Sequence, residues 1–97
     1  MLYMVIEHFR AGPEPVYARA AEQGRMLPDG LRYVDSWIDE RDLSQCFQLM
    51  ETDDADLLRE WTSRWDDLVE FEIVPVIDSA GAAAKARTNT PADDRPI

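Results

Sequence analysis

The sequence predicts an α+β domain of order βαββαβ, with a four-stranded antiparallel sheet and two helices on one of its faces. Three observations predict it. Four short segments are rich in β-branched and aromatic residues, two longer ones repeat apolar residues every three or four positions, and clusters of Gly, Pro and Asp separate them.

The first strand is Leu2–Phe9, stopped by Gly12-Pro13. From Glu14 to Leu27, Val16, Tyr17, Ala20, Ala21, Gly24 and Leu27 line one helix face, with Arg19, Glu22 and Gln23 opposite. Pro28-Asp29-Gly30 ends that helix. Leu31–Ile38 and Ser44–Glu51 form strands 2 and 3, and the polar link Asp39-Glu40-Arg41-Asp42 suits a hairpin with a loop longer than two residues. Thr52-Asp53-Asp54 offers capping oxygens and negative charge to a second helix, whose stripe is Leu57, Leu58, Trp61, Trp65 and Leu68. Strand 4 is Val69–Ile77, with Glu70 and Glu72 alternating against Phe71 and Ile73. A domain of residues 1–78 is therefore expected. Residues 79–97, rich in Ala and polar residues, are expected to be a disordered tail.

This order is the split-βαβ, ferredoxin-like arrangement. Right-handed crossovers are read as setting strands 1 and 3 side by side and parallel at the centre, with strands 4 and 2 outside. Two helices cover one sheet face only, yet strand 1 is apolar on both, Leu2, Met4 and Ile6 against Tyr3, Val5 and Phe9. An open face of that kind is large for a monomer. A homodimer is expected, its two sheets packed together or closed into a dimeric α/β barrel.

Composition narrows the chemistry. The 97 residues suit one domain and carry a net charge of −10, which excludes a nucleic-acid or anionic-membrane footprint and favours a neutral or cationic ligand. Residues 1–77 contain no lysine, so Schiff-base and pyridoxal chemistry do not fit. One Cys and one His are too few for a structural zinc site, and no metal or other cofactor is expected. A lone thiol suits a cytoplasmic setting, and the apolar run Leu2–Ile6, broken by Glu7, is too short for a signal-peptide core or membrane span.

The candidate site residues are few. His8 ends strand 1, and with strand 3 read as parallel, Glu51 comes level with it while Glu70 approaches from strand 4. These carboxylates and Glu7 favour the imidazolium, so His8 is the expected acid–base group with Glu51 and Tyr33 as catalytic partners. The plainer alternative is a strand-end histidine in a structural ion pair. Tyr33, Asp35 and Trp37 are read as one face of strand 2, a substrate wall or a dimer contact. Gln48, a buried amide on strand 3, orients substrate or satisfies a neighbour, and Arg25 neutralises a ligand or interacts with a helix end. Cys46 is read as an inert small hydrophobe, and Trp61 with Trp65 as core first and ligand wall second.

Three strings together resemble one family: Gly24-Arg25-Met26-Leu27-Pro28-Asp29-Gly30-Leu31 with Ser36-Trp37, Cys46-Phe47-Gln48-Leu49-Met50-Glu51-Thr52-Asp53, and Trp61-x-x-x-Trp65-x-Asp67-Leu68-Val69-x-Phe71-Glu72. With the opening Met1–Glu7 they are similar to the small bacterial DUF3303 family, over about residues 1–77. The resemblance implies a dimeric α/β-barrel fold and supplies no reaction. The wider barrel superfamily includes cofactor-independent monooxygenases, muconolactone isomerases, polyketide cyclases and haem-binding members. Haem suits the acidic surroundings of His8 poorly.

The expected function is a cofactor-independent enzyme acting on a small organic metabolite by acid–base cyclisation, isomerisation or monooxygenation, in a biosynthetic pathway. The alternative is a dimeric binding module that holds a metabolite without turning it over.

Overall fold

The computed structural model describes residues 1–89. Strands β1 (Leu2–Phe9), β2 (Arg32–Ile38), β3 (Gln45–Glu51) and β4 (Val69–Val76) alternate with helices α1 (Pro13–Gln23), α2 (Asp56–Ser63) and α3 (Ser79–Asn89) in the order βαββαβα. They form one sheet of order β2-β3-β1-β4, antiparallel at every neighbouring pair. The architecture is the expected ferredoxin-like α+β fold, with one correction at its centre.

The central pair β1 and β3 runs antiparallel, not parallel. A right-handed β–α–β crossover returns the chain in the direction it left, so β1 and β2 are the parallel pair, one place apart. The hairpin after β2 reverses the chain, and β3 fills that place antiparallel to both. The register follows. His8 lies opposite Gln45 and Glu70, while Glu51 lies opposite Leu2. At the rise of a strand, Glu51 and His8 are about 20 Å apart along the sheet.

Side chains alternate between two faces, and cross-strand partners share one. The helix-covered face takes Val5, Glu7 and Phe9 of β1, which are 0%, 5% and 8% exposed. Beside them lie Cys46, Gln48 and Met50 of β3, and Val69, Phe71 and Ile73 of β4. Leu58, Trp61 and Trp65 close the core from above, each buried. The open face carries Met4, Ile6, Phe47, Leu49 and Val74, with Trp37 half exposed at 52%.

A β-bulge at Val34 changes the reading of β2. Tyr33 pairs with Met50 and Asp35 with Leu49, so one extra residue stands on β2. Tyr33 therefore shares the helix face with Ser36, and Asp35 and Trp37 take the open face. The three residues expected on one face are split by that single insertion.

Helix ends have local causes. Pro13 opens α1, where its fixed φ suits the first turn. Gly24, at φ 66 and ψ −157, stops the helix at Gln23, short of the expected Leu27, and its N–H still bonds Ala20 O at 2.8 Å. Before α2, Asp54 Oδ1 accepts the Asp56 N–H at 2.9 Å, and Asp54 N–H donates to Thr52 Oγ1. The expected cap cluster thus acts from one residue before the N-cap position, which is Ala55.

The expected disordered tail is helical over Ser79–Asn89. Alanine has the highest helix propensity of any residue, and this segment is rich in it. Asp78 Oδ1 caps the helix by accepting the Gly81 N–H at 2.7 Å. No large apolar side chain occurs in the segment, so propensity and the cap form the helix rather than burial. Residues 90–97 of the expected tail lie outside the described residues. Among the described residues, no helix is long and apolar enough to cross a membrane.

Candidate functional site

Where α1 leans over the sheet, a cavity of about 210 Å³ opens between them. Pockets for drug-sized ligands run to about 300–1,000 Å³, so this one fits a smaller molecule. Phe9, Val16, Tyr17, Ala20, Trp61 and Trp65 make its apolar walls. Glu7, Gln48, Cys46, Ser36 and Arg25 make its polar end.

The polar end is a relay across three elements. The Gln48 amide Nε2 donates to Glu7 Oε2 on the neighbouring strand. Gln48 Oε1 in turn accepts from Arg25 Nε at 3.2 Å. Both Glu7 and Gln48 are buried, and among the described residues every buried polar side-chain atom has a partner. Burial of the Glu7 carboxyl dominates its ionisation. Despite the Gln48 hydrogen bond and the Arg25 charge, which both favour the anion, its pKa is pushed up to about 7.

Arg25 is held from several sides. Its guanidinium carbon lies 3.7 Å from the centroid of the Tyr33 ring, a stacked cation–π contact. The Tyr33 hydroxyl is 2.7 Å from Ser36 Oγ. The Arg25 carbonyl accepts two indole N–H groups, from Trp61 at 2.8 Å and Trp65 at 3.0 Å. Arg64 Nη1 donates to the next carbonyl, that of Met26, at 2.6 Å. Met26 itself has φ 58, so the chain turns sharply just after Gly24 and carries the Arg25 side chain to the cavity rim.

The Cys46 thiol is pushed up to about 12, first by burial and then by the Glu7 charge, so it stays protonated and inert as a nucleophile. Burial also raises the Tyr17 hydroxyl. Among the described residues, no group of three His, Cys, Asp or Glu side chains is placed to hold a metal ion. The cavity offers a carboxyl balanced near neutrality, an amide that orients it, a fixed guanidinium and aromatic walls. Such a set can bind a small organic molecule and move a proton on it.

The sequence profile of the family described as a domain of unknown function, DUF3303, matches residues 1–89. The chain belongs to the DUF3303 family. Comparison with curated proteins and with solved structures returns no match.

Within this DUF3303 domain the residues singled out in the sequence divide. Gln48 and Arg25 line the cavity, and Tyr33 backs Arg25 from behind. His8 is exposed on the open face, the opposite side of the sheet from Glu7. Asp35 and Trp37 share that open face, where Asp35 Oδ1 accepts the Ser36 N–H at 2.8 Å. Glu51 sits at the far end of β3 in an ion pair with Arg32, which holds its carboxyl below the usual range. The expected grouping of His8 with Glu51 and Tyr33 is thus not assembled, because it assumed parallel central strands and an unbroken β2. The residue missed as a site member is Glu7. Its signal was visible in the alternation Val5, Glu7, Phe9, which puts a lone carboxyl among the inward-facing positions of a central strand.

Proposed function

We propose that this chain catalyses proton transfer on a small organic metabolite bound in the cavity, with Glu7 as the acid–base group. The observation that supports this is the Glu7 carboxyl, buried on the cavity wall and bonded by Gln48. A carboxylate with a pKa near the working pH removes a proton readily and returns it readily. As the anion, Glu7 takes a proton from an acidic carbon of the bound molecule. As the acid, it gives that proton back at another atom of the delocalised anion, which completes an isomerisation. Where the carbanion has first attacked a carbonyl carbon of the same molecule, Glu7 gives the proton to the alkoxide that the ring closure leaves. A sufficiently stabilised carbanion is also the species that meets oxygen in cofactor-free oxygenation. Gln48 fixes the carboxyl and Arg25 supplies positive charge at the rim.

The working unit in this proposal is a homodimer in the cytoplasm, with the open sheet face covered by a second copy as in dimeric α/β barrels. The support is that face itself, where Trp37, Val74 and neighbouring Met4, Ile6, Phe47 and Leu49 form an apolar surface beside the paired strands. The test of the catalytic reading is turnover by Glu7→Gln, once a metabolite screen by thermal shift has supplied a substrate. Loss of turnover with binding retained supports it, and full turnover by the variant sinks it.

A further inference from the structure

Arg25 stands apart from most arginines of this chain. Arg19, Arg32, Arg41, Arg59 and Arg64 each pair with a carboxylate. Among the described residues no carboxylate lies within ion-pair distance of Arg25, and its only side-chain hydrogen bond runs from Nε to Gln48. The two Nη groups, the fork that grips a carboxylate in two parallel hydrogen bonds, are left for something else. They are also unusually well held for a rim arginine. The ring of Tyr33 supports the guanidinium plane, Gln48 fixes Nε, and two indole N–H groups fix the backbone carbonyl of the same residue. Restraint of this kind removes the ordering cost that a flexible arginine would meet on binding.

The local charge reinforces the point. The chain as a whole is at −10. Of the residues that line the cavity, however, only Glu7 and Arg25 carry charge near neutrality, since the Cys46 thiol and Tyr17 hydroxyl are held protonated. Whenever Glu7 is protonated, the cavity is positive inside an acidic protein. Beyond the fork the walls are aromatic, with Phe9, Tyr17, Trp61 and Trp65, and such walls favour flat, unsaturated partners.

We infer that the ligand of this cavity is a small, flat monocarboxylate, its carboxylate forked on the Nη groups of Arg25 and its ring or conjugated chain between the aromatic walls. This rests on the reading of the cavity as the substrate site and deepens it by naming the ligand class. It also reverses the expectation, drawn from net charge alone, of a neutral or cationic ligand. The anchored carboxylate leaves the rest of the molecule directed inward, where the Gln48 amide leads from Arg25 to Glu7.

Two pairs of probes test it on the full chain by calorimetric titration: benzoate against benzamide, and cinnamate against cinnamamide. The acids are expected to bind at least tenfold more tightly than their amides. That preference is expected to vanish in Arg25→Gln, to survive weakened in Arg25→Lys, and to persist in Glu7→Gln. Amides that bind as well as acids, or an acid preference that survives Arg25→Gln, overturn the carboxylate assignment while leaving the cavity reading in place. Ala20→Phe, which fills the cavity from α1, separates the two. Acids that bind this variant undiminished do not occupy the cavity, and that result overturns both readings.

Discussion

Gln48 donates its side-chain amide to the buried carboxyl of Glu7, an inter-strand bond between the two central strands of the sheet. The bond keeps a carboxyl in a place from which burial would otherwise exclude it. The buried carboxyl is nonetheless a stability liability, because burial disfavours its anion, and the sign can be worked out. In the unfolded chain Glu7 has its ordinary pKa of 4.5, and in the folded chain about 7. Between those values the folded state holds a proton that the unfolded state has lost. Stability from this group is therefore fully present below pH 4.5, declines as pH rises toward 7, and stays low above it. The full span is about 3 kcal/mol at this depth of burial. Glu7→Gln is expected to abolish that decline and to be more stable than the parent at pH 8. Urea melts at pH 5 and pH 8 check it, and a parent equally stable at both would contradict the assigned ionisation. The exposed pairs lie in another window. Asp39, lowered to about 2 by Arg41, contributes stability that is lost only as pH falls below its unfolded value of 3.8.

If Glu7 is the base, turnover rises with pH through the neutral range, following its ionisation near 7. Gln48→Leu removes a hydrogen bond that favours the anion and should move that midpoint upward. His8→Ala, on the other face of the sheet, should leave the profile unchanged. A pH–rate series on the three proteins reads all of this. A midpoint that moves in His8→Ala and not in Gln48→Leu would return the acid–base role to the histidine.

Gly24→Ala tests the rim. Beyond its two chain neighbours no atom lies within 4 Å of the added methyl, so packing against the rest of the chain does not oppose it. The backbone at φ 66 and ψ −157 is a region that glycine alone occupies freely. A loss of about 1–3 kcal/mol is expected from that conformation alone. Because Arg25 follows directly, ligand affinity should fall with it. Denaturant melts and titration of a carboxylate probe measure the two effects side by side.

The open face predicts an oligomeric state. Light scattering should give twice the 11.1 kDa of one chain, and Trp37→Asp should give the single-chain mass with the helix-side core intact. Trp37 is half exposed in the single chain, so its loss removes little internal packing. A parent that scatters as one chain at micromolar concentration refutes the dimer.

Much of the fold was legible because it depends on period. The alternation in Leu2–Phe9 and the stripe Leu57, Leu58, Trp61, Trp65 each follow from geometry that one segment sets by itself. Even so, the helix around Trp61 ends at Ser63, and Trp65 keeps its inward position through a tightened turn in which its N–H bonds Thr62 O at 3.0 Å. The site was half legible. Gln48 and Arg25 could be singled out by type, since a central-strand amide needs partners. The company they keep could not, because it depends on strand direction and on one extra residue at Val34, both settled by pairing between distant segments. Tail composition misled for a related reason. Lack of a core argues against burial, but Asp78 and a run of alanines form a helix without one.

The bulge at Val34 lets one strand hold two employments. Upstream of it, Tyr33 braces the guanidinium over the cavity, and downstream, Asp35 and Trp37 look toward the other side of the sheet. Unbroken alternation over the same residues would put the tyrosine and the tryptophan on the same side, so that either the arginine would lose its support or the open face its indole. Deletion of Val34 removes only the unpaired residue, leaves Tyr33 and Trp37 an odd number of positions apart, and is therefore expected to keep both on the sides they now occupy. Because of the bulge, the ligand chemistry and the self-association proposed for this domain can be altered separately along a single stretch of seven residues.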